Sequence, residues 1–275
     1  MLDNLQLIPP EAFAVSGDIV EKVIDKISSA VGWLATPKAN KTYQMEAERY
    51  LIEQIKNDPH MPAFAKAASM SKVRKLLKEY SNQYNILSNA MNFLNESANP
   101  EKIDDDWLVY FFDKAKNVSK EEMAVIFGKI LAKEINSPGT VSKTLVQILS
   151  VIDYEDAKTF LKLANFSVMI EDGYQPVIFY DEKEFYSKHG LSVGELISLD
   201  DTGLIQTSVG IYSFMLEKGE KISYFDFEIK IEEEKDIEFG NVILTKAGSD
   251  LMSIITDKRK INGFEMFFKD IVMKD

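Results

Sequence analysis

From Ser16 onward, apolar residues recur at helical spacing: Ile19, Val20, Val23, Ile24, Ile27, Val31 and Leu34. Asp18, Glu21, Lys22, Asp25 and Lys26 fill the opposite face. The pattern predicts an amphipathic helix with Ser16 as N-cap, ended by Gly32-Trp33 and Pro37. A second helix is expected from Lys38 to Asn57, where Asp58-Pro59 breaks the run. A third opens near Pro62, a good first-turn residue, and extends toward Ser97. The Asn residues at 82, 85, 89, 92 and 95 weaken the case for its being unbroken.

Asn99-Pro100 ends that segment. Asp104-Asp105-Asp106 then precedes Trp107, Leu108, Phe111, Phe112 and Ala115, a strong apolar face on one expected helix. Ser119-Lys-Glu-Glu122 has the spacing of a capping box, ahead of Met123, Ile126, Phe127, Ile130, Leu131 and Ile135. Pro138-Gly139 stops this helix, and another follows over 142–151 with Leu145, Ile148 and Leu149 inward.

After Asp153 the character changes. One helix, Tyr154 to Asn165, leads into β-branched and aromatic runs at Val168–Ile170 and Pro176–Tyr180. Ser192-Val-Gly-Glu195 is a second capping box, opening a helix that Gly203 should close. Leu204–Thr207, Ile211–Glu217, Ile222–Ile231 and Asn241–Thr245 read as strands, with Lys218-Gly219 turning a hairpin. Helices are expected over 246–255 and 264–273. Helix, helix, short strand, hairpin is winged-helix order, and 153–256 fits it loosely. The expected fold is therefore α+β and mainly α: an arm over 1–16, a helical domain over 17–151 and a winged-helix-like α+β domain over 152–275.

Composition narrows the chemistry. The chain has no cysteine, which removes disulfides, thiolate metal sites and Cys nucleophiles. Residues 1–10 lack a signal-peptide pattern, and no apolar run approaches the roughly 18 residues of a spanning helix, so a cytoplasmic protein is expected. The net charge of −12 is uneven: 18 Lys/Arg against 19 Asp/Glu in 1–150, but 14 against 25 in 151–275. Phosphate backbones repel so acidic a second half.

The two histidines, His60 and His189, fall in expected loops without metal-ligand spacing. No nucleophile elbow and no glycine-rich phosphate loop occurs. No catalytic residue, metal or cofactor is therefore expected. Carboxylates cluster at Asp104, Asp105, Asp106, Asp113, Glu121, Glu122 and Glu134, but capping of helix starts explains them better than an acid/base or Mg²⁺ site. Two surfaces stand out. Ile19, Val23, Ile24, Ile27, Val31 and Trp33 form an apolar face for another helix, a protein partner or a second copy, with a membrane surface as the alternative. Lys66, Lys72, Arg74, Lys75 and Lys78 form a basic stretch that can meet nucleic acid.

The segment carrying Asp105, Asp106, Trp107, Phe111, Ser119, Glu122, Glu134, Pro138 and Gly139 closely resembles the central signature of the bacterial family called domain of unknown function 2806. The likeness continues through Asp156-Ala157, Leu199-Asp-Asp201, Gly203-Leu204-Ile205 and Leu244-Thr-Lys-Ala-Gly248. The central motif is also similar to abortive-infection alpha-type proteins. That resemblance implies a setting in bacterial or prophage defence and no mechanism. The expectation is a non-enzymatic interaction or effector protein acting through oligomerisation and protein partners. The alternatives are a nucleic-acid-binding regulator using 66–78 and a membrane-acting effector using 17–34.

Overall fold

The computed structural model describes residues 16–32, 41–171, 173–256 and 258–272. They form two compact units that divide between Val146 and Gln147. The fold is α+β and mainly α, with eleven α-helices among the described residues. Trp33, the first residues of the second expected helix and the arm up to residue 15 lie outside the described residues.

In the first unit, α1 (Gly17–Val31) starts after Ser16, whose side chain makes no cap bond, and ends at Gly32 in the left-handed region. Its apolar stripe packs on α4 (Asp105–Ala115). Helix α2 (Lys41–Asn57) packs on α3 (Ala63–Met91), which stays continuous through its asparagines. They are accommodated because several have work at the helix surface. Asn82, buried, donates to the Lys116 carbonyl at 2.7 Å, and Asn89 donates to Asn85 one turn back. Helix α5 (Glu121–Asn136) crosses the rear half of α3 at Gly128, where an added Cβ would come 2.6 Å from the Asn89 Cβ. Only glycine allows that approach.

The capping box expected at Ser119/Glu122 does not form. The first helical bond runs from Ala124 N–H to the Lys120 carbonyl at 2.9 Å, which makes Lys120 the N-cap and leaves Ser119 one residue outside. The Ser192/Glu195 box does form: Ser192 N–H donates to Glu195 at 2.8 Å, and Glu195 N–H to the Ser192 hydroxyl at 3.3 Å.

Helix α6 (Lys143–Val151) runs across the division between the units. The second unit continues with α7 (Tyr154–Ala164), β1 (Ser167–Ile170), β2 (Gly173–Pro176), α8 (Lys183–Lys188) and α9 (Val193–Asp201). Strands β3 (Ile205–Leu216), β4 (Lys221–Tyr224), β5 (Phe227–Lys230) and β6 (Lys235–Leu244) follow, then α10 (Lys246–Met252) and α11 (Phe264–Val272).

The strand pairing corrects the expected wing. Ile211–Glu217 does not pair with the strand after Lys218-Gly219; β3 is one long strand antiparallel to β6. The tight hairpin is β4–β5, turning at Phe225 with φ 51°, and it joins β1 in a sheet of order β2-β1-β4-β5. Lys218-Gly219 instead connects two separate sheets. Pro176–Tyr180, expected as a strand, is mostly a connection that bridges β6 at one residue. Ile178 donates to the Phe239 carbonyl at 3.0 Å and accepts from Asn241 N–H at 2.6 Å. Gly240 makes this possible: its φ is +102°, and a Cβ there would sit 2.0 Å from the Ile178 oxygen.

Candidate interaction surfaces

The family-like motif is a knot of packing and hydrogen bonds. Asp104 caps α4 by accepting from Trp107 N–H at 2.7 Å, and the Trp107 indole donates to the Val141 carbonyl at 2.9 Å. Phe111, fully buried, stacks on Trp107 and meets Phe112 and Phe127. Glu134, also buried, accepts from Gly139 N–H at 2.6 Å and Val141 N–H at 2.9 Å. Its carboxylate thereby holds the Pro138-Gly139 turn, with Gly139 at φ +84°. Burial pushes the Glu134 carboxyl above the ordinary glutamate range, and the N–H groups of Gly139, Val141 and Thr140 offset this only in part.

The other carboxylates of the cluster disperse. Asp105 pairs with Lys26 at 2.5 Å and Asp113 with Lys116 at 2.6 Å, while Asp106, Glu121 and Glu122 are exposed at helix starts. Among the described residues no group of three or more His, Asp or Glu side chains is placed to hold a metal. Ser119 is exposed and serves no cap.

The rest of the signature forms a second knot, inside the second unit. Thr245 caps α10, its hydroxyl donates to the Gly203 carbonyl at 2.7 Å, and its N–H meets the Leu204 carbonyl at 3.1 Å. Gly248 lies so close that a Cβ would be 1.9 Å from the Leu204 oxygen. Thr207 donates to Asp200 at 2.8 Å. Segments far apart in sequence thus meet as neighbours in a turn-and-helix junction.

The apolar face expected to meet a partner or lipid is already covered. Val23, Ile24 and Ile27 are buried within the first unit, Ile19 and Val31 are half-buried, and Trp33 lies outside the described residues. The stripe packs on α4, which lies against the three residues that are buried. No helix among the described residues is long and apolar enough to cross a membrane. Of the histidines, His60 is exposed. His189 closes α8 instead of floating in a loop, half-buried, with its ring nitrogen 2.9 Å from the Phe185 carbonyl.

The exposed surface lies elsewhere, on α2 and the front half of α3. Among the described side chains from Thr42 to Ser81, Ile52 is the one buried apolar residue. Tyr43, Met45, Tyr50, Leu51, Phe64 and Leu76 are all exposed, Phe64 at 87%. The basic residues divide by direction. Arg74 pairs with Glu48 of α2 at 2.7 Å, and Lys66 donates to the Lys56 carbonyl at 2.7 Å. Lys72, Lys75 and Lys78 are exposed; Lys75 lies 3.8 Å from Glu79 on its own helix, a weak pair. Periodicity did not mark this surface, because exposed aromatic and aliphatic residues on α2 and α3 form no continuous apolar stripe.

The second unit carries a cavity of about 660 Å³ between Phe179, β6 and α11. Its apolar lining includes Phe179, Ile211, Phe267 and Ile271, and its acidic lining is Asp181, Glu182, Asp236, Glu238 and Asp270. All five carboxylates are exposed, and none forms an ion pair among the described residues. Lys235, the one lining cation, donates to the Val272 carbonyl at 2.9 Å. These acids are spread over ninety residues of sequence, and only the charge imbalance of the second half hinted at them.

Residues 68–267 match the family described as "Protein of unknown function (DUF2806)". The chain belongs to that family. The DUF2806 match takes in both hydrogen-bonded knots and most of the groove, and it begins inside α3, beyond α1, α2 and Phe64. No curated protein and no solved structure matches the chain.

Proposed function

We propose that this chain is a non-enzymatic interaction protein whose contact surface is the α2–α3 hairpin. One observation carries this reading: two helices with six exposed large apolar side chains bury a single apolar residue over some forty positions. Exposed apolar surface of that kind is costly in water unless something covers it. A helix gains most of its stability from tertiary packing, which this hairpin lacks over its outer part. The signature residues support the same reading, since they are engaged in holding turns and helix starts together. As part of the same proposal, the protein acts in the cytoplasm, in defence against phage.

A photo-crosslinking residue placed at Tyr50 or Phe64 in the full chain tests the proposal in cells, with and without phage. The expected result is a discrete protein adduct from both positions, together with lost protection in a plating assay when Tyr50, Phe64 and Leu76 are all changed to Ser. Absence of any adduct, with plating unchanged, overturns it.

The outward cations Lys72, Lys75 and Lys78 favour a second reading, nucleic-acid contact. It predicts salt-sensitive retention of DNA or RNA, lost when these three are neutralised.

A further inference from the structure

The outward face of the front half of α3 has a graded chemistry. Phe64 stands at its start, the small residues Ala67, Ala68 and Ser71 follow, and Lys75 and Lys78 end it, with Lys72 and Leu76 beside them. At 3.6 residues per turn these positions share one side of the helix, over about 21 Å at 1.5 Å per residue. All are exposed. Arg74 and Lys66 are turned to α2, so the cations left outside are those at the far end of the stripe. Small residues in the middle allow another surface to approach the helix closely.

The groove of the second unit is complementary to this face. Half-buried Phe179, Phe267 and Ile271 line it and suit an aromatic or aliphatic anchor, and five exposed carboxylates line it against one committed lysine. We propose that the front of α3 of one copy docks in the acidic groove of a second copy. The proposal rests on the hairpin being a protein-contact surface and names its partner. The two patches differ, so the interface is heterologous: copies related by it close into a ring or run on as a chain. Charge complementarity makes the contact salt-dependent, while Phe64 and Leu76 supply apolar burial that salt does not screen.

Sedimentation velocity on the full chain tests this. One variant carries Lys72→Glu, Lys75→Glu and Lys78→Glu; the other carries Asp236→Lys, Glu238→Lys and Asp270→Lys. Circular dichroism melts confirm that each folds. Wild type is expected to associate at low salt and to dissociate at about 0.5 M salt, where the screening length falls to a few ångströms. Each variant alone should associate at least about tenfold more weakly. An equimolar mixture of the two should associate again, because the acidic helix of one meets the basic groove of the other, and the reverse pair also matches. Wild type that remains monomeric at high concentration and low salt overturns the proposal. So does a mixture that stays apart, or association that survives both reversals. If the helix variant loses association and the groove variant keeps it, the groove is not the partner, yet the hairpin remains the contact surface. If wild type shifts duplex DNA or RNA through these lysines and does not self-associate, the face serves phosphates instead.

Discussion

The front and rear halves of α3 belong to one continuous helix and have opposite surroundings. Ile86, Leu87, Ala90 and Met91 at the rear are 1% exposed or less, pressed against α5 across Gly128. Eleven positions before Leu87, Leu76 is 52% exposed, and Phe64 is more exposed still. The rear half is held by α5, which lies within the segment that carries the family likeness; among the described residues the front half packs mainly on α2. A recognisable motif therefore marks where the fold is locked, and the exposed apolar side chains lie beside it.

The sharpest way to break this contrast is to make one substitution at both ends. Leu87→Ala should cost about 2–5 kcal/mol in denaturant unfolding, the usual range for a buried leucine. Leu76→Ala should stay within about 0.5 kcal/mol of wild type. Equal effects would remove the distinction.

Gly128→Ala is a stricter test of the crossing. In an exposed helix this change stabilises by about 1 kcal/mol. Here the new Cβ meets the Asn89 Cβ at 2.6 Å and the Ala90 backbone nitrogen at 3.0 Å, so the melting temperature should fall instead.

Glu134→Ala strands the N–H groups of Gly139 and Val141, at a cost of about 2–3 kcal/mol. Its pH dependence has a definite sign. The native state binds this proton more tightly than the unfolded chain, so the contribution is fully present below the ordinary glutamate range. It is lost as pH rises through the raised native value. The stability difference between wild type and Glu134→Gln should therefore narrow as pH rises above the ordinary glutamate range, about 4.3. A widening gap would contradict the burial argument.

Trp107→Phe is expected to have the smallest effect at the core end, about 1 kcal/mol, from the lost bond to the Val141 carbonyl. On the hairpin, Tyr50→Ser and Phe64→Ser should leave unfolding within about 0.5 kcal/mol while weakening association. Differential scanning fluorimetry beside sedimentation separates the two effects.

Much of the architecture was legible from periodicity. The stripe from Trp107 to Ala115 and the apolar face of α1 are buried where the spacing places them, and the break at Asp58-Pro59 separates α2 from α3. What failed was whatever depends on distant partners. Spacing identified an amphipathic face at Val23–Ile27 but could not say that α4 covers it. Lys218-Gly219 has hairpin chemistry, yet β3 finds β6 because pairing is decided by which edges meet, and Gly240 admits Ile178 to the same strand. Ser119 has the right spacing for a capping box, and a start one residue later cancels it. The groove was illegible, since its carboxylates come from three separate elements.

Hydrogen exchange read by mass spectrometry, on dilute and concentrated full chain, distinguishes an uncovered hairpin from a packed one. Peptides from α2 and the front of α3 should exchange fast in dilute protein and become protected as concentration rises, while α5 stays slow throughout. A hairpin as protected as α5 in the dilute chain, and unchanged on concentration, would show that these helices stand without a partner.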